Sequence, residues 1–259
     1  MKLCRFRVLD AASPAIRNGV IDGERVYEAT GEWPGAPVRG AASWPLEGVR
    51  LAAPVDPSKI VCVARNYRKH AAELGNEAPQ EPLIFLKAPS SIIGPGDTIE
   101  LPRESTRIDY EGELAVVIGR RCARLGAQDA IEPYLAGFTC LNDVTARDFQ
   151  KRDVIFGRAK SFDTFCPLGP VIETEFDWKQ ARIETLVNGA RRQYGASAEM
   201  IFPIDELVRW ISRIMTLLPG DLIATGTPDG IAPLAAGDVV EISIEGIGRL
   251  ANPVALRHG

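Results

Sequence analysis

The chain has few histidines and no paired cysteines, and both shortages restrict the chemistry that it can perform. Only two of its 259 residues are histidine, His70 and His258, so a metal site built from several imidazoles is excluded. The five cysteines are scattered and odd in number, with no Cys-x-x-Cys pair. This is the pattern of reduced thiols in a cytoplasm rather than of a disulfide framework or a zinc ribbon. We therefore expect buried, unpaired thiols.

Long apolar runs and long basic runs are also absent. No stretch approaches the roughly 18–20 apolar residues of a membrane span, and the N-terminus lacks the apolar segment of a signal peptide. The net charge of −4 gives no support to nucleic-acid binding. The sequence therefore predicts a cytoplasmic protein with no membrane partner and no nucleic-acid partner.

The N-terminal part of the chain is expected to form a small unit of short strands. An Asp-Gly pair at residues 22–23 predicts a β-hairpin. Residues 31–48 show no clear periodicity. The proline-rich segment 53–57 predicts a stiff linker. We therefore predict a small N-terminal β domain over residues 1–55 and a second, catalytic domain over residues 56–259.

Strands are also expected to dominate the rest of the chain. Three Gly-Asp pairs, each followed by an apolar run, predict turns that open strands at residues 96–101, 220–225 and 237–242. Apolar residues at helical spacing predict an amphipathic helix over 204–216. Strands outnumber helices and do not alternate with them as a parallel α/β fold requires. The predicted class is α+β, mainly β.

Two glutamates stand two positions apart in the predicted strand Tyr110–Gly119, so their side chains leave the same face. Glu111 and Glu113 repel each other, and burying them unpaired is costly. A divalent cation would remove that cost, and oxygen-only ligation favours Mg²⁺, Mn²⁺ or Ca²⁺ over zinc. Asp143, at the end of the predicted strand Ala136–Asn142, is a candidate third ligand. The alternatives are a solvated strand face for the glutamates and a helix cap for the aspartate.

A histidine and a glutamate lie three residues apart in a short predicted helix over residues 67–74. This spacing makes the side chains of His70 and Glu73 neighbours. The carboxylate could hold the imidazole in one tautomer while its other nitrogen faces a water. A chance pair on a surface helix is the alternative.

Two further segments are candidates for binding an anionic group. Lys160 has aromatic neighbours that suggest burial, and a buried lysine needs a carboxylate partner or an anionic ligand. A solvated lysine is the alternative. The glycine-rich turn Thr225–Gly230 follows a predicted strand, where free N–H groups and hydroxyls could hold a carboxylate. The same turn could simply end that strand.

Taken in order, six segments of the chain resemble the fumarylacetoacetate hydrolase family. They are Asn66-Tyr67-x-x-His70-x-x-Glu73, Phe85-Leu86-Lys87-x-Pro89-Ser90-Ser91, Asp109-Tyr110-Glu111-Gly112-Glu113-Leu114, Asn142-Asp143-Val144-Thr145-Ala146-Arg147-Asp148, Lys160-Ser161-Phe162-Asp163 and Thr225-Gly226-Thr227-Pro228. The resemblance covers roughly residues 55–256. It is closest to the short members of the family, which include acylpyruvate hydrolases, oxaloacetate decarboxylases and hydroxymuconate isomerases.

The resemblance implies the family's mixed β-roll, a homodimer and a Mg²⁺ or Mn²⁺ cofactor. It also implies three groups of site residues. They are the metal ligands Glu111, Glu113 and Asp143, the catalytic residues His70, Glu73 and Lys160, and the substrate-binding residues Arg147, Gln150 and Thr227.

The expected reaction is the hydrolysis of a C–C bond in a small 1,3-diketo acid of the acylpyruvate or fumarylpyruvate type. The His70–Glu73 dyad would activate the attacking water, and Lys160 would help to stabilise the resulting enolate. An oxaloacetate decarboxylase and a 5-carboxymethyl-2-hydroxymuconate-type isomerase would reach the same enolate, so both stay open. A metal-dependent binder without turnover is the alternative outside enzymes.

Overall fold

A computed structural model describes residues 1–9 and 15–257, and strands dominate this part of the chain. The strands are β1 Lys2–Val8, β2 Arg17–Asp22, β3 Arg25–Glu32, β4 Ala36–Pro45, β5 Val49–Ala52, β6 Ile60–Ala64, β7 Leu83–Lys87, β8 Ile92–Ile93, β9 Ile99–Leu101, β10 Ile108–Asp109, β11 Gly112–Ile118, β12 Leu135–Asn142, β13 Thr145–Ala146, β14 Cys166–Glu173, β15 Arg182–Val187, β16 Ala190–Ala196, β17 Leu222–Ala224, β18 Val239–Ile244 and β19 Gly248–Leu256. The helices are α1 Arg68–Glu73, α2 Arg147–Arg152, α3 Gly157–Lys160 and α4 Ile204–Ile214. The predicted α+β, mainly β class is confirmed.

The strands form one large sheet, one smaller sheet and a two-stranded ribbon. The large sheet has the order β4-β3-β2-β1-β14-β12-β11-β17-β6-β7, with β5 paired to β1 and β8 paired to β14. The smaller sheet has the order β16-β15-β18-β19-β9, and β10 pairs with β13. Most neighbours are antiparallel, whereas β17 and β6, β14 and β8, and β19 and β9 are parallel. Both sheets are therefore mixed, with mainly antiparallel and a few parallel pairs.

The N-terminal strands extend the large sheet. The predicted hairpin is confirmed, because β2 and β3 pair across the Asp-Gly turn. Strand β4 was not predicted, and its side chains are exposed or half-buried on both faces, which leaves no alternating pattern to detect. Strand β1 meets β14 through Lys2 and Leu3. The domain boundary near residue 55 stays a prediction.

The predicted turn and helix signals agree with the structure. Gly96, Gly220 and Gly237 all have positive φ angles, a conformation that glycine adopts without strain. They precede β9, β17 and β18 respectively. Helix α4 confirms the predicted amphipathic helix, although it ends at residue 214. All five cysteines are free and buried. Within residues 1–9 and 15–257, no helix is long and apolar enough to cross a bilayer.

Two central strands, β11 and β12, place Glu111, Glu113 and Asp143 close together. They pair antiparallel with Gly112 opposite Asn142, and the N–H of Asp143 donates to the carbonyl of Glu111 at 2.8 Å. Both strands are almost completely buried. The smaller sheet packs so closely against β11 that a Cβ on Gly112 would lie 2.2 Å from the hydroxyl of Thr185. The start of β11 and the end of β12 are therefore fixed by the core.

Candidate active site

Glu111, Glu113 and Asp143 form a buried acidic trio. One carboxylate oxygen of each lies within 4.8 Å of the others, and the three residues are 4%, 2% and 1% exposed. The solvated-face alternative for the glutamates is therefore wrong. The helix-cap alternative for Asp143 is also wrong, because α2 follows Ala146 and no side chain caps it.

Side-chain cations compensate part of the charge of the trio. Lys160 donates to Glu111 Oε2 at 2.7 Å and to Asp143 Oδ2 at 2.6 Å. Lys87 donates to Asp143 Oδ1 at 2.7 Å, and Arg147 donates to Glu111 Oε1. The expectation that a divalent ion alone would offset the repulsion is therefore incomplete. The alternative of a solvated Lys160 is wrong, because Lys160 is buried.

The pKa values of Glu111 and Glu113 are shifted in opposite directions. Burial raises the pKa of Glu111, but the guanidinium of Arg147 and the ammonium of Lys160 outweigh it, so that the pKa falls well below its usual value. Burial, followed by the charges of Asp143 and Glu111, raises the pKa of Glu113 well above its usual value. The N–H of Gly226, 2.8 Å from Glu113 Oε2, opposes this only in part. Glu113 therefore retains a proton more readily than Glu111.

His70 lies between an orienting carboxylate and the trio. Its Nδ1 is 3.3 Å from Glu73 Oε2, and its Nε2 is 3.8 Å from Glu111 Oε1. The ring is 4% exposed, so the alternative of a chance pair on a surface helix does not describe it. Glu73 is fixed in turn, because the N–H of Gly230 donates to its Oε1 at 3.1 Å. One ring nitrogen is thus oriented by a carboxylate while the other faces the trio.

Helix α2 brings a guanidinium and an amide to the same place. Arg147 donates from Nε to Asp109 Oδ2 at 2.9 Å and from Nη1 to Gln150 Oε1 at 2.8 Å. Asp109 also accepts two hydrogen bonds from Arg107, at 2.9 and 3.0 Å. Arg147 is therefore held on Glu111 by a second, buried carboxylate, Asp109, for which the motif around it had indicated no separate role.

The structure places all nine predicted site residues around one cavity of about 470 Å³. These residues are His70, Glu73, Glu111, Glu113, Asp143, Arg147, Gln150, Lys160 and Thr227. Arg65, Arg107 and Lys151 line the same cavity and were not predicted. Lys87 and Asp109 support it from the core. Lys87 offered one signal, since it is a lysine at the end of an otherwise apolar strand.

The trio is suited to a hard divalent cation. Its ligand atoms are all carboxylate oxygens, which suit Mg²⁺ and Mn²⁺. Among the residues that the structure describes, Glu113 makes no ion pair. Glu111, Glu113 and Asp143 could therefore hold such an ion, with Lys160 beside it.

The chain is similar over almost its whole length to proteins of one family. The family profile described as "Fumarylacetoacetate (FAA) hydrolase C-terminal" matches residues 59–255, and that described as "Rv2993c-like, N-terminal" matches residues 1–54. The crystal structure of 5-carboxymethyl-2-hydroxymuconate delta-isomerase from Mycobacterium smegmatis has 42% identity and a TM-score of 0.91, covering 99% of this chain and 100% of that one.

Two other relatives have different names. The chain is 44% identical over 230 residues to oxaloacetate tautomerase YisK of Bacillus subtilis (strain 168), covering 81% of this chain and 75% of that protein. A structure of maleylpyruvate hydrolase from Sphingobium sp. SYK-6, in complex with manganese(II) and pyruvate, has 30% identity and a TM-score of 0.80, with 100% of both chains covered.

The fold and the site define an enzyme with a buried acidic centre that could bind a metal ion. The chain belongs to the fumarylacetoacetate hydrolase family. The resemblance stated from its motifs is therefore confirmed, and with it the prediction of an enzyme.

The raised pKa of Glu113 gives the first prediction. A proton on this carboxyl competes with a metal ion, so Mn²⁺ binding should release a proton, and the affinity should rise as the pH is raised through the elevated pKa of Glu113. Electron paramagnetic resonance of free Mn²⁺ at several pH values measures the affinity, and calorimetry in two buffers measures the proton release. Glu113→Gln should bind Mn²⁺ much more weakly than the wild type.

The exposed Glu104 provides the matched control. Glu104→Gln should bind Mn²⁺ like the wild type. Unchanged affinity in Glu113→Gln would show that Glu113 is not a ligand, and pH-independent binding would contradict its protonated state.

Proposed function

We propose that the protein catalyses proton transfer on a small α-keto diacid, with keto–enol tautomerisation of oxaloacetate as its main reaction. The observation that carries this proposal is the position of His70, whose Nδ1 faces Glu73 while its Nε2 lies 3.8 Å from Glu111. A general base held in this way reaches a keto acid bound at the trio. The relatives named as an oxaloacetate tautomerase and a hydroxymuconate isomerase support the reaction class.

Each group has a separate role in this proposal. Glu111, Glu113 and Asp143 would hold a Mg²⁺ or Mn²⁺ ion, which would supply Lewis-acid chemistry when bound. Glu73 orients His70, whose Nε2 removes a proton from the carbon next to the keto group. The imidazolium then returns this proton to the enolate oxygen, which completes the enol, and the same steps in reverse restore the keto form. The ammonium of Lys160 stabilises the negative charge that develops on the oxygen. Arg147 and Gln150 contact the substrate from α2, and Thr227 contacts it from the opposite turn.

The charge of the cavity supports a substrate with two carboxylates. The four buried carboxylates of the site are balanced by four cations, Lys87, Lys160, Arg147 and Arg107. A divalent ion at the trio then adds two positive charges. Among the residues that the structure describes, Arg65 and Lys151 line the cavity without an ion pair, and together they exceed the one further carboxylate on its lining, that of Glu73. A dianion complements this excess of positive charge better than a monoacid.

Hydrolysis of an acylpyruvate or fumarylpyruvate is the second candidate reaction. The cavity of about 470 Å³ is much larger than a four-carbon diacid requires, and this size supports a longer substrate. In this reaction His70 would deprotonate a water that attacks the distal carbonyl, and the C–C bond would break to leave an enolate of pyruvate. The relative named as a maleylpyruvate hydrolase supports this candidate. Decarboxylation of oxaloacetate would pass through the same enolate.

We also propose that the protein is a cytoplasmic homodimer. Two apolar side chains on the edge strand β7, Leu83 and Leu86, are exposed, as are Val154 and Ile155 between α2 and α3. Exposed apolar surface of this kind supports a partner interface. The five free, buried cysteines support a reducing compartment.

The reaction class has a direct test. The purified protein with Mg²⁺ should accelerate the decay of enol-oxaloacetate in an ultraviolet assay, and NMR should show no matching formation of pyruvate. His70→Gln should lower the rate by about 10²-fold or more while leaving Mn²⁺ affinity unchanged. Fumarate and pyruvate formed from fumarylpyruvate would favour hydrolysis, whereas a wild-type rate in His70→Gln would contradict the role of the histidine.

The diacid preference leads to a separate prediction for Arg65. This residue lines the cavity with a φ of 56°, and left-handed backbone at a non-glycine residue is often associated with functional sites. Arg65→Met should raise KM for oxaloacetate by roughly tenfold or more, because a charged hydrogen bond contributes about 1.5–3 kcal/mol. KM for pyruvate, followed by hydrogen–deuterium exchange of its methyl group, should not change.

The matched control is Arg68→Met, which removes an exposed arginine from α1. It should leave both KM values as in the wild type. An equal rise of KM for oxaloacetate and for pyruvate in Arg65→Met would contradict a contact between Arg65 and the second carboxylate of the diacid.

A further inference from the structure

Gln193, on β16, has a completely satisfied and completely buried amide. Its Oε1 accepts from the N–H of Gly112 at 3.0 Å and from the hydroxyl of Thr185 at 2.8 Å. Its Nε2 donates to Thr227 Oγ1 and to the carbonyl of Pro228, both at 2.8 Å. The N–H of Gly112 can only donate and the carbonyl of Pro228 can only accept, so the orientation of the amide is fixed. The residue is 1% exposed.

The turn that Gln193 holds is connected to both halves of the site. At one end of the turn Thr225–Gly230, the N–H of Gly226 donates to the trio through Glu113. At the other end, the N–H of Gly230 donates to the dyad through Glu73. The two residues that Gln193 contacts lie between these ends. A displacement of the middle of the turn would therefore move a donor to a candidate metal ligand and a donor to the orienting carboxylate together.

The backbone of β16 supports the same turn. A Cβ on Gly195 would lie 2.6 Å from Cβ of Pro228, and a Cβ on Gly230 would lie 2.2 Å from the carbonyl oxygen of Arg192. The φ of Gly230 is +102°, which glycine adopts without strain. The turn therefore packs against β16 without space for a side chain at Gly195 or Gly230, and Gln193 makes hydrogen bonds at this contact.

The hydroxyl of Thr227 is used within this network. It donates to the carbonyl of Gly112 at 2.9 Å and accepts from Gln193 Nε2. Its single proton is therefore already used in the hydrogen bond to Gly112, the residue between Glu111 and Glu113 in the sequence. The position of Thr227 at the cavity thus depends on Gln193 and on the backbone of β11.

We propose that Gln193 is a positioning residue that fixes the turn Thr225–Gly230 and, through it, Glu113 and Glu73. This inference rests on the proposed function for its effect on turnover, whereas its effect on metal affinity is independent of the reaction. Replacing a residue that hydrogen-bonds to a metal ligand typically lowers metal affinity or activity by about 10- to 100-fold.

The test replaces one end of the amide only. Gln193→Glu keeps the two acceptor contacts and places an oxygen against Thr227 Oγ1 and the carbonyl of Pro228. Gln193→Met fills a similar volume without any hydrogen bond and serves if the charged variant does not fold. Thr185→Val removes one hydrogen bond from the same network on the side away from the turn. Gln180→Glu makes the same charge change at an exposed glutamine.

Thermal unfolding, Mn²⁺ affinity by electron paramagnetic resonance, and kcat and KM with oxaloacetate and fumarylpyruvate are measured for each variant. Both Gln193 variants should bind Mn²⁺ at least about tenfold more weakly and lose at least about tenfold in kcat, with a smaller change in KM. Thr185→Val should lose thermal stability but keep its Mn²⁺ affinity and kcat, and Gln180→Glu should match the wild type.

Wild-type Mn²⁺ affinity and kcat in a folded Gln193 variant would overturn the inference. So would equal losses in Thr185→Val and the Gln193 variants, because they would indicate a purely structural network. If the wild type bound Mn²⁺ but converted neither substrate, the proposed reaction would fail, and Mn²⁺ affinity would still decide the role of Gln193.

Discussion

Mutual repulsion among three buried carboxylates is the interaction on which the site depends. Glu111, Glu113 and Asp143 lie within 4.8 Å of one another and are almost fully excluded from solvent. Lys160 donates hydrogen bonds to both Glu111 and Asp143, and Lys87 donates to the other carboxylate oxygen of Asp143. Removing one partner of a buried ion pair costs about 3–5 kcal/mol, a large part of the net stability of a typical domain.

The compensation is unequal, and this inequality has a chemical consequence. Among the residues that the structure describes, Glu111 forms ion pairs with Arg147 and Lys160, whereas Glu113 forms none. Burial, followed by the charges of Asp143 and Glu111, raises the pKa of Glu113, and Lys160 and the N–H of Gly226 oppose this only in part. A divalent ion bound at the trio would therefore compete with a proton on Glu113 rather than add to a saturated set of charges.

The acidic trio and the dyad come from distant parts of the chain, and the core sets their spacing. The register of β11 and β12 places Glu111 beside Asp143. The turn after β17 then contacts both Glu113 and Glu73. In the proposed reaction, the keto acid and its base would be held by the same frame, which would give the orientation advantage that catalysis requires.

Much of this arrangement could be predicted from local sequence signals. The spacing of Glu111 and Glu113 and that of His70 and Glu73 each indicate a shared face, and the order of the motifs indicates the family. The structure places all of these residues around one cavity. Their catalytic roles remain proposals, because proximity alone does not assign a role.

The residues that sequence reasoning missed are those whose role depends on contacts far along the chain. Lys87 meets Asp143 across 56 positions, and Gln193 meets Gly112 across 81. The contact of Gln193 leaves no local pattern, and the one signal for Lys87, a lysine at the end of an otherwise apolar strand, does not indicate its partner. Strand β4 was missed for another reason, because it buries neither face and so lacks the alternation that marks a strand.

A crystal structure of the protein soaked with Mn²⁺, with anomalous difference maps, tests whether the trio is the metal site. A metal site at the trio should give one strong peak at about 2.1 Å from carboxylate oxygens of Glu111, Glu113 and Asp143, on the side that faces His70 Nε2. A trio still bridged by Lys160 alone, with the anomalous signal elsewhere in the cavity or missing, would contradict it.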